Sequence, residues 1–374
     1  MQSRNKRVLI LGNSHLVVFK FRGELIEALV KQKYDVWVSF PNGPFGEGEN
    51  TARKYGCHFI ESYMERRSAN PIKDWKIISN YVSIIKQIKP MVVLAYTVKP
   101  DVYGGIVCKL LDVPFIPNIT GLGKALDEKG IVQKITIALY KSAVKDARCV
   151  FFQNDSDKKF FDEKKIRYKK GLILPGSGVN LKQYEPLLYP KDNEPVRFIY
   201  VARVMKAKGI EEYLDAAHTI KKIYPKTEFH ICGYCEEDYK DILEEKEKCG
   251  EIIYHGLVDD IQLYEKMCHC VVLPSFHPEG ISNVLLEGAA CARPLITTDH
   301  AGCRETVTDG ITGFIVRQRD SKDLTDKMLK FIEMPNEDRR KMGEEGRKKI
   351  EKEFDRKIVV DCYMKEIREL GRKV

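Results

Sequence analysis

Short apolar runs rich in β-branched and aromatic residues recur along this chain at near-regular intervals. The first series is VLIL (8–11), VWVSF (36–40), HFIES (58–62), VVLAY (92–96), FIPNI (115–119), CVFFQN (149–154) and LILPG (172–176). Between most of them lie segments of helical period, such as FRGELIEALVKQ and WKIISNYVSIIKQI. Strands that alternate with helices of this length form βαβ units and a parallel sheet. The pattern restarts at 196 with VRFIYVA, then EFHIC, EIIYHG, CVVLPS, PLITTD and GFIVR. The stretch between the two series, NLKQYEPLLYPKDNEP (180–195), is polar, proline-rich and aperiodic, which suits a linker. From about residue 321 the chain reads as helix to its end. At about 150 residues per domain, 374 residues fit this division. The expected fold is α/β, with two doubly wound Rossmann-like domains at 1–185 and 186–355. A C-terminal helix, 356–374, would pack back toward the first domain. Open sheets of this kind bind ligands beyond the carboxyl ends of their strands, so the sequence places the site in the cleft between the domains.

Two stretches follow strands and carry charge where such a site would lie. In PEGISNVLLE, Gly280 breaks the strand CVVLPSF, and Ser282 or Asn283 can cap the next helix. The unpaired amides of that first turn suit an anionic phosphate. Glu279 then projects from the loop. Glu287 falls two turns into the helix, where a carboxylate can accept from two vicinal hydroxyls. In ARVMKAKG, directly after VRFIYV, Arg203 ends a strand and Lys208 precedes a helix. Cations placed there can neutralise a diphosphate leaving group, and such charge stabilisation is often the largest catalytic contribution. Taken singly, each stretch is equally a surface loop with solvated charges.

The charge balance is uneven. Residues 1–190 hold 31 Lys and Arg against 18 Asp and Glu, and the remainder 32 against 36. A basic first half implies an anionic partner: nucleic acid, lipid headgroups or a diphosphate-bearing substrate. The basic start MQSRNKR precedes only VLIL, too short for a secretory core, and no run approaches a membrane span. The expected location is cytoplasmic, with reduced thiols for the 11 cysteines. Cys232-Gly233-Tyr234-Cys235 and Cys268-His269-Cys270 match no common metal spacing. Asp155-Ser156-Asp157 looks like a metal-binding DxD, yet Asp155 or Ser156 equally caps the helix DKKFFDEKK. Pro175-Gly176-Ser177-Gly178 lacks the spacing of a nucleophile elbow, and no GxxxxGK[ST] occurs.

Together, and at this separation, the two charged stretches resemble the family 4 retaining glycosyltransferases of GT-B fold, over nearly the whole chain. That family's E-x7-E motif is matched by Glu279 and Glu287, and its Arg and Lys-Gly pair by Arg203 and Lys208. The resemblance implies that Arg203 and Lys208 grip the diphosphate of a nucleotide-sugar donor, UDP-linked, and that Glu287 binds its ribose. It implies that Glu279, with the backbone of Gly280, Ile281 and Ser282, holds the sugar near its reacting carbon. Glu279, Arg203 and Lys208 are then the catalytic set, with no metal or other cofactor. In the first half, LILGNSHLVVFKFRGELIEAL, YTVKPDVYGGIVCKLLDVPFIPNITGLG and ILPGSGVN are similar to bacterial capsule, O-antigen and lipid-linked glycan enzymes, among them α-N-acetylgalactosaminyl- and galactosyltransferases. The resemblance implies an undecaprenyl-diphosphate-linked acceptor, Gly12, Asn13 and Ser14 in a loop facing the cleft, and Lys99 near an acceptor or donor phosphate. Tyr96-Thr97-Val98-Lys99 lacks the histidine that many members carry here.

Two basic amphipathic segments could lie on an anionic bilayer. One joins Arg66, Arg67, Lys73 and Lys76 to Trp75, Ile77 and Ile78. The other interleaves Lys134, Lys141 and Lys145 with Ile135, Ile137 and Leu139. Each is also a plain core-facing helix with a solvated rim. A peripheral position on the inner face of the cell membrane is the expectation that follows. The alternative activity is a UDP-sugar 2-epimerase, which also uses two doubly wound domains. A basic RNA-binding protein is the third, disfavoured because RNP-type aromatic motifs are missing; no nucleic-acid partner is expected.

Overall fold

The computed structural model describes residues 6–43, 46–64, 71–123, 126 and 130–371. The chain divides into two compact units, residues 1–177 with 356–374, and residues 178–355. Arg66 and Arg67 of the first basic segment lie outside the described residues.

The first unit contains a seven-stranded sheet of order β3-β2-β1-β4-β5-β6-β7. Its strands are β1 (Arg7–Leu11), β2 (Asp35–Phe40), β3 (His58–Glu61), β4 (Val92–Tyr96), β5 (Phe115–Ile119), β6 (Val150–Phe152) and β7 (Gly171–Ile173). Every pairing is parallel, with Val8 beside both Val36 and Val92. The central strands are buried on both faces, which explains why they read as unbroken apolar runs rather than alternating ones. One face buries Val8, Ile10 and Leu94 against helix α1 (His15–Lys31) and the last helix, Arg356–Gly371. The other buries Leu9, Leu11 and Val93 against helices Pro71–Ile88 and Ile131–Val144.

The second unit contains a six-stranded parallel sheet of order β10-β9-β8-β11-β12-β13. These are β8 (Arg197–Val201), β9 (Glu228–Cys232), β10 (Ile253–Gly256), β11 (Cys270–Leu273), β12 (Leu295–Thr298) and β13 (Gly313–Val316). All six coincide with apolar runs of the second sequence series. The segment 180–195 belongs to this unit and forms no strand or helix. The Arg293 guanidinium, fully buried, ties it down by donating to the carbonyls of Leu187 and Leu188 while also donating to those of Glu265, Lys266 and Cys291. Among the described residues no helix is long and apolar enough to cross a membrane.

Candidate functional site

In both sheets the strand order reverses next to the first strand, between β1 and β4 and between β8 and β11. Helices on either side of such a switch point lie on opposite faces, which opens a crevice at the carboxyl ends of the two strands. The sequence places its candidate residues at these two crevices and at no other strand ends.

In the second unit, Arg203 and Lys208 follow β8, and Glu279 lies in the loop after β11. The loop after β8 makes one 3-10 turn, Lys206–Lys208, and passes through Gly209 into helix Ile210–Ile223. Gly209 has φ +78, and a Cβ there would lie 2.2 Å from the Pro274 carbonyl oxygen. Only glycine lets the two loops come this close. They are joined by Phe276 N–H donating to the Ala207 carbonyl (3.0 Å), and Ser275 Oγ stands between the Ala207 carbonyl and the Glu279 carboxylate. The Lys208 ammonium is consequently in direct contact with the Glu279 carboxylate. These two side chains are only 12% and 15% exposed. Burial pushes the Lys208 ammonium down to about 8, and the Arg203 guanidinium adds to the effect. Contact with Glu279 favours the proton, so at neutral pH the side chain is charged on either count. Arg203 stands 3.6 Å from Glu236, in the loop after β9.

A third loop, after β12, braces the one that holds Glu279. Gly302 (φ +88) accepts from the Ser282 amide at 2.8 Å and donates its own amide to Glu305 Oε2 at 2.7 Å. A Cβ on Gly302 would lie 2.4 Å from the Gly280 carbonyl oxygen. Ser282 holds the N-cap position of helix Asn283–Ala290, but its side chain makes no capping hydrogen bond. The Ser282 amide, assigned to the donor by resemblance, is thus already spent on Gly302. Gly280 and Ile281 are buried beside it. Glu287 sits little more than one turn into the helix, not two, and is buried. The Tyr184 phenol lies near its carboxylate, and burial followed by the Glu287 charge pushes that phenol well up.

In the first unit, Gly12, Asn13 and Ser14 follow β1. Ser14 Oγ caps α1 by accepting from the Val17 amide, and a Cβ on Gly12 would lie 2.5 Å from Val18 Cγ2. Lys99 follows β4, and its ammonium is 2.9 Å from Asp74 Oδ1, both side chains being mostly buried. Tyr103 also lies near Asp74, and its phenol is pushed up by burial and by that carboxylate. Thr97, between β4 and Lys99, adopts φ +75, a strained conformation for a β-branched residue. The crevice thus contains a lysine held in a fixed place by a carboxylate.

The DxD-like stretch is a helix start. The cap of helix Asp155–Glu163 is Asn154, not Asp155 or Ser156: Asn154 Oδ1 accepts from the Asp157 amide at 2.8 Å, and Asn154 Nδ2 donates to Asp157 Oδ2. Among the described residues no three His, Cys, Asp or Glu side chains are grouped as metal ligands. The two basic segments are divided by burial. Ile77 is core, whereas Trp75 is 68% exposed; Ile131 and Ile135, 76% and 55% exposed, flank the exposed Lys134.

Sequence reasoning missed Tyr184, Glu236, Cys303 and Glu305. Tyr184 lies in an aperiodic stretch, Glu236 and Cys303 lie beside cations of another loop, and Glu305 accepts from the Gly302 amide of its own loop, so local pattern carried no signal for them. Cys303 lies buried close to Lys208, Thr297 and Thr298; burial pushes its thiol up to about 11.

Comparison with known proteins follows the same two units. A family model described as Glycosyl transferase 4-like matches residues 7–154, and one described as Glycosyl transferases group 1 matches residues 189–349. The chain is 25% identical to the N,N'-diacetylbacillosaminyl-diphospho-undecaprenol alpha-1,3-N-acetylgalactosaminyltransferase of Campylobacter jejuni, over 87% of this chain and 89% of that one. It is 26% identical to the capsular polysaccharide biosynthesis glycosyltransferase CapM of Staphylococcus aureus, over 95% of each. Its fold matches the crystal structure of Anabaena Alr3699/HepE in complex with UDP and glucose, with TM-score 0.78 and 15% identity over 97% of this chain and 99% of that one.

Proposed function

Because the chain belongs to the glycosyltransferases, 4-like in its first half and group 1 in its second, with the GT-B fold, we propose that it moves a hexose or N-acetylhexosamine from a UDP-sugar to an undecaprenyl-diphosphate-linked glycan, with retention at the anomeric carbon. The observation that carries this reading is the contact of Lys208 with Glu279, beside Arg203, at the switch point between β8 and β11. A cation beside a carboxylate suits a donor with an anionic half and a polyhydroxylated half. Lys208 and Arg203 receive the diphosphate and stabilise it as it leaves, a task that positive side chains perform without a metal ion. Glu279 turns to the sugar hydroxyls, and Glu287 to the ribose. Glu279 is not assigned as a covalent nucleophile; the acceptor hydroxyl attacks on the face the diphosphate leaves, and the departing phosphate oxygen takes its proton. The first unit supplies the acceptor side, with Gly12, Asn13, Ser14 and Lys99 along its crevice.

The 2-epimerase alternative loses its ground, since the matching families and relatives transfer glycosyl groups to acceptors. The relatives' acceptors and glycans support a place at the cytoplasmic face of the cell membrane. Trp75 and the exposed isoleucines beside Lys134 suit contact with an anionic bilayer. A panel of UDP- and GDP-sugars, screened by thermal shift with EDTA present, tests the donor assignment, because a ligand of the folded state raises the unfolding temperature. A UDP-sugar shift that survives EDTA is expected; no shift from any nucleotide sugar overturns the reading. Flotation with phosphatidylglycerol vesicles, but not phosphatidylcholine vesicles, is expected for the membrane contact, and equal behaviour with both would refute it.

A further inference from the structure

The loop after β9 carries side chains to which the proposed reaction gives no task. It leaves its strand through Gly233, whose φ is +149 and whose amide donates to the Gly256 carbonyl at 2.7 Å. A Cβ on Gly233 would lie 1.7 Å from the Ala202 carbonyl oxygen, so only glycine lets this loop run against the one that holds Arg203. The two loops then bond as a short ladder. The Val204 amide donates to the Tyr234 carbonyl at 2.9 Å, and the Glu236 amide donates to the Val204 carbonyl at 3.0 Å. Further along, Glu237 Oε2 accepts from the Lys206 amide at 2.8 Å. The side chains continue the connection. Glu236 Oε1 stands 3.6 Å from Arg203 Nη1, and Glu236 Oε2 accepts from the Tyr234 hydroxyl at 3.0 Å. One mostly buried carboxylate therefore links a phenol of its own loop to the guanidinium of the neighbouring loop.

We propose that Glu236 is a positioning residue for Arg203: its carboxylate, itself oriented by the Tyr234 hydroxyl, fixes the guanidinium so that the rest of its planar fork meets the diphosphate of the nucleotide sugar. A guanidinium has several N–H groups in fixed directions, so one edge can rest on Glu236 while the others bind phosphate oxygens. Arginine is otherwise among the side chains with most rotamer freedom to lose. Settling that freedom in the folded protein spares its loss on binding. Rotation about the last side-chain bond of a glutamate is soft, and the phenol bond to Oε2 restrains it. The Arg203 side chain is 38% exposed, and ion pairs so open to water contribute little to folding. The effect of Glu236 therefore belongs to anion binding more than to stability.

This inference rests on the assignment of Arg203 to the diphosphate, and a double-mutant cycle separates the two. Calorimetric titration with UDP compares the full chain with Glu236→Gln, Tyr234→Phe, Arg203→Ala and the Glu236→Gln, Arg203→Ala pair. GDP is a parallel probe. Glutamine keeps the shape and still accepts from the phenol, and phenylalanine removes only the hydroxyl. The expected result for Glu236→Gln is a loss of about tenfold in UDP affinity, within the range of couplings between residues in contact. Tyr234→Phe should lose less. In the Arg203→Ala background Glu236→Gln should cause no further loss, because no guanidinium is left to position. The same loss with Arg203 present or absent would make Glu236 a packing residue and overturn the proposal. Unchanged UDP affinity in either single variant would overturn it too, as would tighter binding by Glu236→Gln, the mark of a carboxylate that competes with the phosphates. If Arg203→Ala bound UDP as the unmodified chain does, Arg203 itself would be removed from the diphosphate. If the unmodified chain bound neither UDP nor GDP, the nucleotide-sugar reading would fall and this inference with it.

Discussion

Lys208 departs from ordinary lysine chemistry because it is buried. Burial pushes its ammonium down to about 8, and the contact with the Glu279 carboxylate opposes that shift. The charged form is the one a diphosphate needs, so donor binding raises this pKa back toward that of an exposed lysine. The sign follows: affinity for UDP should be flat below the free-state pKa and fall as pH rises through about 8, by up to about tenfold per unit. Lys208→Arg, charged throughout this range, should flatten that fall even if its affinity is lower overall. Titrations at several pH values check this, and an unchanged slope in the arginine variant would show that another group carries the dependence. Lys208→Ala should cost at least ~2 kcal/mol in transition-state stabilisation. Glu279→Gln should behave differently. It removes the charge that competes with the diphosphate for Lys208, so UDP should bind at least as tightly while sugar transfer falls. Weaker UDP binding in Glu279→Gln would mean that the carboxylate serves to position the lysine and not to hold the sugar.

Among the elements, the three loops after β8, β11 and β12 form the crevice proposed for the donor, and glycines set how closely they approach. Gly302 and Gly310 make an internal comparison, since both have positive φ, +88 and +75. A Cβ on Gly310 would have nothing within 4 Å, whereas one on Gly302 would press on the backbone of Gly280 and Glu279. Gly310→Ala should cost only the left-handed conformation, about 1–2 kcal/mol, with donor affinity kept. Gly302→Ala should cost more in urea unfolding and weaken UDP binding; equal behaviour of the two variants would refute the bracing role of the β12 loop. Legibility was best at this scale. Strands such as VVLAY and CVVLP were readable because burial on both faces writes a continuous apolar run, and Arg203, Lys208 and Glu279 follow strand ends, with Glu287 in the helix beyond. Pairings across elements were not readable. Lys99 with Asp74, Ser282 with Gly302 and Arg203 with Glu236 join distant residues, and nothing local in the chain distinguishes them from solvated groups. The depth of Glu287 and the Asn154 cap were misplaced by short distances, because helix starts depend on a few hydrogen bonds rather than on periodicity.

At the scale of the whole molecule, the second unit is one continuous stretch while the first is completed only by the end of the chain. After Asp355 the chain returns to the first unit as helix Arg356–Gly371. That helix buries Val359, Tyr363, Met364 and Ile367 against the first sheet's core. Its polar residues are matched as well: Asn118 Nδ2 donates to the Tyr363 hydroxyl at 2.8 Å, Arg356 pairs with Glu24 and Arg148 with Glu369. Lys170 meets the buried Glu366. Each large apolar side chain withdrawn from water contributes about 1.5–3 kcal/mol, so the four together are comparable with the ~5–15 kcal/mol net stability of a domain. Removing the helix would also strand the buried amide of Asn118 without its phenol. The composition of 180–195 reads as a divider, but its hydrogen bonds to Arg293 and Arg347 make it part of the second unit. Cooperative folding should follow these bonds and not the composition. A chain ending at Asp355 should therefore lose the first unit's unfolding transition in calorimetry and keep the second's. Residues 178–355 alone should fold and retain UDP binding, since Arg203, Lys208, Glu279 and Glu287 all lie within them. If the 1–355 chain melted like the full-length one, the last helix would be an appendage and not the closing piece of the first unit's core.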